Sequence, residues 1–244
     1  MNPDFPNFFH TQNGRQTTRV VLFLLVAAAI WGGYFRWRPP RPMLHLSHLE
    51  HLGEVPQVAL TFDDAPHPLT TPLLLTALKR TGVKASFFVV GDGLQLYPEL
   101  SARMVEEGHR LANHSQYHIN MTRLSPAEYA HEVHNCFVAM DAVYADAGIS
   151  TTPTRLFRPP GGGLNRDVMN YLFQNQVTLA WWSNNVGDWT RPPAWKIARG
   201  VKANLRAGDI VLLHDAGPGT AQALASIVKE ARAQGLQFVP MPEN

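Results

Sequence analysis

From Pro56 onward, short runs rich in β-branched and aromatic residues alternate with longer runs whose apolar residues recur at three- and four-residue spacing. QVALTF (57–62), ASFFVV (85–90), Arg110–Ala112, Leu156–Phe157, Val177–Trp182, Asp209–Leu213 and Leu236–Val239 predict strands. Helices are predicted over Thr71–Thr81 with Gly82 as its stop, near Tyr97–Glu107 with Gly108 as its stop, and over Ser125–Ala147, where Ser125-Pro126 supplies N-cap and first turn. Three more are predicted over Arg166–Gln174, Ala194–Arg206 and Thr220–Gln234. Repeated strand-then-helix order implies parallel strands covered by helices. About seven such units suffice for a distorted, incomplete (β/α) barrel, with an open doubly wound sheet as the alternative.

Ahead of this pattern the chain changes character. Val20–Phe35 (VVLFLLVAAAIWGGYF) is an uncharged run of sixteen residues between Arg15 and Arg19 on one side and Arg36, Arg38 and Arg41 on the other. It is a membrane-targeting element, somewhat shorter than the ~20 residues that span a hydrocarbon core, with Trp31, Tyr34 and Trp37 suited to the interface. Anchor and signal peptide both fit. The anchor is favoured because the place of a small-x-small cleavage site holds YFRWRPP. The expected organisation is a tail over 1–19, a transmembrane or signal-like segment over 20–35, a Pro- and Arg-containing linker over 36–55, and a catalytic domain over 56–244. The domain is expected outside the cytoplasm, although the arginine count alone points the other way. His45, His48 and His51 in the linker read as a polar face, since no second ligand cluster accompanies them.

Composition narrows the classes. The chain has 244 residues, 45% hydrophobic and 16% charged, which excludes disorder and leaves room for a sizeable core. A net charge of +2 without a Lys/Arg run excludes a phosphate-tracking surface, so no nucleic-acid partner is expected. The single cysteine, Cys136, forms no intramolecular disulfide and reads as a buried, inert thiol. No protein partner is evident.

Chemically capable residues gather just after the predicted strands: Asp63 and Asp64 after QVALTF, His114 and His118 after RLAN, Arg158 after Leu156–Phe157, Asp188 after the tryptophan pair, and His214 after IVLL. In a parallel α/β fold these positions share the carboxyl edge, where active sites lie. Any one of them alone would read as a turn or cap. His114-Ser-Gln-Tyr-His118 spaces two imidazoles for one face of a helical turn. A carboxylate from Asp63 or Asp64 completes the two-His, one-carboxylate set of catalytic zinc. The second aspartate is left as a base toward the water that such an ion activates.

These motifs resemble the polysaccharide deacetylases with a NodB-type homology domain, carbohydrate esterase family 4, over Val58 to about Phe238. Thr61-Phe-Asp-Asp-Ala-Pro66 resembles TFDDGP, which implies Asp63 as general base and Asp64 as metal ligand. His114-Ser-Gln-Tyr-His118 is similar to H-[ST]-x-x-H and implies the other two ligands. Arg158-Pro-Pro160 resembles the R-x-P motif, whose arginine orients the catalytic aspartate. Asp188-Trp189 resembles the D-W of the fourth motif. Ile210–His214 is similar to the fifth, which implies His214 as general acid and Leu212 as part of the acetyl pocket. Ala65 replaces a usual glycine, and Gly161-Gly-Gly163 replaces a usual aromatic, leaving the Gly161 N–H as oxyanion donor. Asn185 stands where the family has an aspartate that pairs with the catalytic histidine.

The resemblance implies metal-dependent hydrolysis of N-acetyl groups from an amino-sugar polysaccharide, chitin-like or peptidoglycan. One divalent ion is expected, zinc first, with cobalt or nickel as alternatives. Tyr117, Trp182 and Trp189 are candidates for stacking on sugar rings, whereas Trp181 reads as core. Two other readings use the same residues: an amidohydrolase of small cyclic amides or ureides, and a glycan-binding relative without turnover.

Overall fold

The computed structural model describes residues 55–150 and 155–241, all within one compact unit. Eight strands form one all-parallel sheet: β1 (Gln57–Ala65), β2 (Ser86–Val89), β3 (Arg110–Asn113), β4 (Leu156–Phe157), β5 (Thr178–Leu179), β6 (Asn184–Asn185), β7 (Ile210–His214) and β8 (Gln237–Val239). The order is β5-β4-β3-β2-β1-β7-β6, and β8 pairs with the start of β1. Seven α-helices lie between them: α1 (Thr71–Thr81), α2 (Gly91–Leu96), α3 (Pro98–Glu106), α4 (Pro126–Asp146), α5 (Arg166–Gln174), α6 (Ala194–Asn204) and α7 (Pro218–Ala233). The result is a parallel half-barrel with helices, consistent with the expected distorted (β/α) barrel.

Strand alternation sorts the core into two layers. On β1, Val58, Leu60 and Phe62 join Phe87 of β2, Leu111 of β3, Phe157 of β4 and Val211 and Leu213 of β7 against the helices. The residues between them, Ala59, Phe88, Ala112, Leu156, Ala180 and Ile210, make a smaller cluster with Met241. Each fully buried Phe or Leu contributes roughly 1.5–3 kcal/mol of transfer free energy, so the larger layer carries most of the stabilisation. The interior cluster is built mainly of small and aliphatic residues, and above it there is room for a buried arginine and the polar site.

Local signals set the helix ends. Gly82 closes α1 in the left-handed conformation (φ 67°), with its N–H on the carbonyl of Lys79. Glu128 takes the Ser125 N–H at 2.7 Å at the start of α4. Predicted and observed strands and helices differ most between β4 and β7 and after β2. Of the run Val177–Trp182 only Thr178–Leu179 is a strand: β5 pairs with β4, and after four residues β6, beyond the predicted run, pairs with β7 on the opposite end of the sheet order. The short α2 was not anticipated, because GDGLQL carries two glycines and no helical apolar stripe.

The segment 20–35, the linker histidines and residues 242–244 lie outside the described residues. Among the described residues, no helix is long and apolar enough to cross a membrane. Cys136 is buried as expected, and burial pushes its thiol up to about 12.

Candidate active site

The site begins with an irregularity in β1. Its pairing with β2 runs Asp63 to Phe88 and then Ala65 to Val89, so Asp64 is an extra residue, held at φ 72°. In an unbroken strand Asp63 and Asp64 would face opposite sides of the sheet. The bulge turns both carboxylates toward one cleft of about 300 Å³. A non-glycine residue in this conformation costs about 1–3 kcal/mol and persists only where its surroundings hold it.

His114 and His118 reach the same cleft from the loop after β3. The loop is not the helical turn that their spacing suggests. Ser115 (φ 71°) and His118 (φ 56°) are left-handed, and side chains stabilise the path: Asn113 Oδ1 accepts from Ser115 N at 2.8 Å, and Ser115 Oγ accepts from His118 N at 3.0 Å. The imidazole centroids end 5.0 Å apart. Nδ1 of His114 lies 2.7 Å from the Arg158 carbonyl, which can only accept, so Nδ1 carries the hydrogen and Nε2 presents its lone pair.

That lone pair faces Asp64 Oδ1 at 3.5 Å, and His118 Nε2 lies 3.1 Å from the same oxygen. The three ligand atoms fall within 4.8 Å of one another. Oδ1 is buried without a well-directed hydrogen bond, and two imidazole nitrogens converge on it. Burial would raise the Asp64 carboxyl, yet the neighbouring imidazoles of His114 and His118 hold it far below the usual carboxylate range. His118 is raised in turn, chiefly by its close contact with Asp64 and against the effect of burial. Two nitrogens and one oxygen, drawing positive charge to one point, fit a divalent cation with an open coordination position.

Arg158 sits entirely buried behind Asp63. Its Nη1 donates to Asp63 Oδ1 at 2.5 Å and to Thr61 Oγ1 at 3.0 Å, while Nε and Nη2 reach the carbonyls of Ala180 and Trp181 at 3.3 Å each. The guanidinium carbon stands 3.8 Å from the Phe88 ring centroid. With Oδ1 fixed, Oδ2 of Asp63 is turned toward the ligand cluster, 3.7 Å from His114 Nε2.

His214, the register partner of Asp63 across β1 and β7, stands on the other side of the cleft. Asp188 holds it twice: Oδ1 lies 2.8 Å from His214 Nδ1, and Oδ2 accepts from the His214 backbone N–H at 2.8 Å. Thr220 Oγ1 adds a third bond to Asp188 at 2.8 Å. Burial alone would lower the His214 imidazole, but the bond to Asp188 and the charges of Asp63, Asp188 and Asp64 raise it overall. The expected place of Asn185 is therefore corrected. Asn185 lines the cleft, but its Oδ1 accepts from Gly187 N, and the carboxylate partnering His214 is that of Asp188.

Gly161 (φ 59°), Trp189 and Leu212 line the cleft as expected, together with Trp182. The Gly161 N–H has no acceptor among the described residues. Tyr117 is 53% exposed and lies outside the cleft lining. Trp181 packs against the core and stacks on Trp182 at 4.4 Å, as its core reading implies. Sequence reasoning missed Thr61, Thr220 and Asp215. The only signal for them was position: Thr61 lies two residues before Asp63 on the same strand face, and Asp215 directly follows His214.

A two-His, one-carboxylate donor set at the carboxyl edge of a parallel barrel, flanked by a fixed carboxylate and a carboxylate-bound imidazole, has the makeup of a metal-assisted hydrolase. The sequence profile of polysaccharide deacetylases matches residues 53–180, and the chain belongs to that family. It is 34% identical over 200 residues to a chitooligosaccharide deacetylase of Bradyrhizobium sp., covering 76% of this chain and 89% of the relative. It is also 34% identical over 214 residues to a peptidoglycan-N-acetylglucosamine deacetylase of Bacillus cereus, covering 82% and 97%. Among solved structures, the peptidoglycan deacetylase PdaC from Bacillus subtilis superposes with a TM-score of 0.69 at 34% identity, covering 77% of this chain and 89% of that one.

Proposed function

We propose that this chain removes N-acetyl groups from an amino-sugar polysaccharide, with one divalent cation held by Asp64, His114 and His118. The observation that carries the reading is the convergence of those three ligand atoms within 4.8 Å in the cleft that also holds Asp63 and His214. Zinc suits the donor set best, and cobalt or nickel fit the same ligands. When bound, the ion supplies Lewis acidity that activates water and polarises the acetyl carbonyl.

The chain's own groups do the rest. Arg158 fixes one oxygen of Asp63, and the other accepts the proton of the attacking water. The free N–H of Gly161 stabilises the oxyanion that forms on the acetyl oxygen. Asp188 keeps a hydrogen on His214 Nδ1, so that Nε2 of the imidazolium donates to the leaving amine. Trp182 and Trp189 wall the cleft and offer apolar ring surface to the sugar, and Leu212 lines it beside them.

The relatives named above support chitin-like and peptidoglycan oligomers as substrates over small cyclic amides. The uncharged run Val20–Phe35 supports a membrane tether, and a cell-wall or chitin-like polymer as substrate, rather than the flanking arginines, supports the extracytoplasmic side. Release of acetate from N-acetylglucosamine oligomers and peptidoglycan fragments on adding zinc tests the activity. No acetate from either substrate, with the ion bound, sinks the reading. N-terminal sequencing of the membrane-associated protein tests the tether, and a mature terminus beyond Phe35 replaces it with a signal peptide.

A further inference from the structure

The mechanism uses Asp63 and His214 but leaves unexplained the carboxylate that follows His214 in the chain. Asp215 is buried, as is Thr71, to which it is bonded. Its backbone N–H donates to the Asp63 carbonyl at 2.8 Å, extending the β1–β7 pairing one residue past His214. Its side chain turns the other way, into the loop that follows the two aspartates. There Oδ2 makes a short hydrogen bond with Thr71 Oγ1 and accepts from His67 N at 3.3 Å. The Asp215 carbonyl accepts from Thr70 Oγ1 at 3.2 Å, and Thr71 Oγ1 also accepts from His67 N at 2.7 Å. One residue thus ties the end of β7 to the strand before the bulge, to the turn after it and to the first turn of α1.

We propose that Asp215 is a positioning residue for the Asp63–Asp64 pair, holding the left-handed backbone at Asp64 so that its carboxylate meets His114 and His118. The inference rests on the functional reading above. A residue at φ 72° stays there only where neighbouring structure fixes it on both sides. The strand ladder does so upstream and again at Ala65, whose carbonyl accepts from Val90 N at 2.9 Å. Beyond Ala65, side-chain or backbone bonds from His67, Thr70 and Thr71 all reach Asp215 and fix the turn that follows. Asp215 does not itself line the cleft, so it acts through Asp63 and Asp64.

The test measures zinc affinity of the full chain by chelator competition, together with kcat and KM for N-acetylglucosamine oligomers, in Asp215→Ala, Asp215→Asn and Thr71→Val. Loss of such an outer support weakens a metal site by about 10–100-fold, and misplacing the reacting groups costs up to ~10²-fold in turnover. Asp215→Ala is expected to show both losses with KM little changed. Asp215→Asn keeps an oxygen for Thr71 and His67, with its amide nitrogen where the unpartnered Oδ1 stood, and is expected to recover at least about tenfold of each loss. Thr71→Val is expected to shift both in the same direction by a smaller factor, and it carries the test if Asp215→Ala does not fold. Unchanged zinc affinity in Asp215→Ala or Thr71→Val overturns the proposal, as does an Asn variant no better than Ala. A wild type that binds zinc but releases no acetate overturns the functional reading alone, and the affinity measurements still decide Asp215.

Discussion

At the scale of single residues, the proposed mechanism gives holding an ion and moving protons to different side chains. Asp64, His114 and His118 converge on one point, whereas Asp63 and His214 are each held by their own partner, Arg158 and Asp188. Asp63→Asn is therefore expected to keep one ion per chain while kcat falls by about 10²–10⁴-fold, the usual cost of losing a positioned proton acceptor. Metal content and steady-state kinetics on one preparation check this. The His214 imidazole is raised above its ordinary value, and its protonated form is the acid, so activity is lost on the basic side as pH rises through that raised value. Removing the carboxylate in Asp188→Asn takes away the main raising interaction and is expected to move the basic limb of the kcat profile to lower pH. Asn185→Asp is expected to leave the limb nearly in place, because Asn185 bonds to Gly187 rather than to His214.

At the scale of elements, strands and helices were legible where local chemistry decides them. The span of α1, its glycine stop and the capped start of α4 follow from residues adjacent in sequence. So did the gathering of polar residues at strand ends, which a parallel sheet places on one edge. The bulge at Asp64 and the left-handed turns at Ser115 and His118 were not legible, because aspartate, serine and histidine do not demand positive φ and only tertiary contacts impose it. The choice between Asp188 and the place of Asn185 as partner of His214 stayed open in the sequence for a related reason. Asn185 and Asp188 are three residues apart, and the turn between them, with Gly187 at φ 67°, decides which one reaches His214. The same dependence on close approach appears between α6 and α7. A Cβ on Gly219 would stand 2.8 Å from the Pro192 carbonyl, a backbone atom that cannot swing away. Gly219→Ala is expected to destabilise the fold by about 1–3 kcal/mol, the cost of overpacking a tight contact. A thermal melt lowered by several degrees would bear this out, and an unchanged one would show that the turn yields freely.

At the scale of the whole molecule, the ion is expected to join parts of the barrel that are far apart in sequence. Asp64 comes from β1, and the two histidines come from the loop after β3. An ion bound only by the native state adds stability by mass action, about 2.7 kcal/mol at a hundredfold excess over Kd. A chelator is expected to abolish turnover and lower the melting temperature together, and zinc to restore both. Full activity after exhaustive chelation would remove the ion from the mechanism.

The tryptophan pair has a consequence of an optical kind. Trp181 and Trp182 lie face to face, 4.4 Å between centroids and 10° from parallel, with one ring packed on the core and the other forming part of the cleft wall. Two indoles this close are expected to couple electronically, so the near-ultraviolet signal of the pair depends on the fold that stacks them. Because Trp182 lines the cleft, a sugar that enters it is expected to change the signal of the stacked pair as a unit, and titration with oligomer would read cleft occupancy without a label.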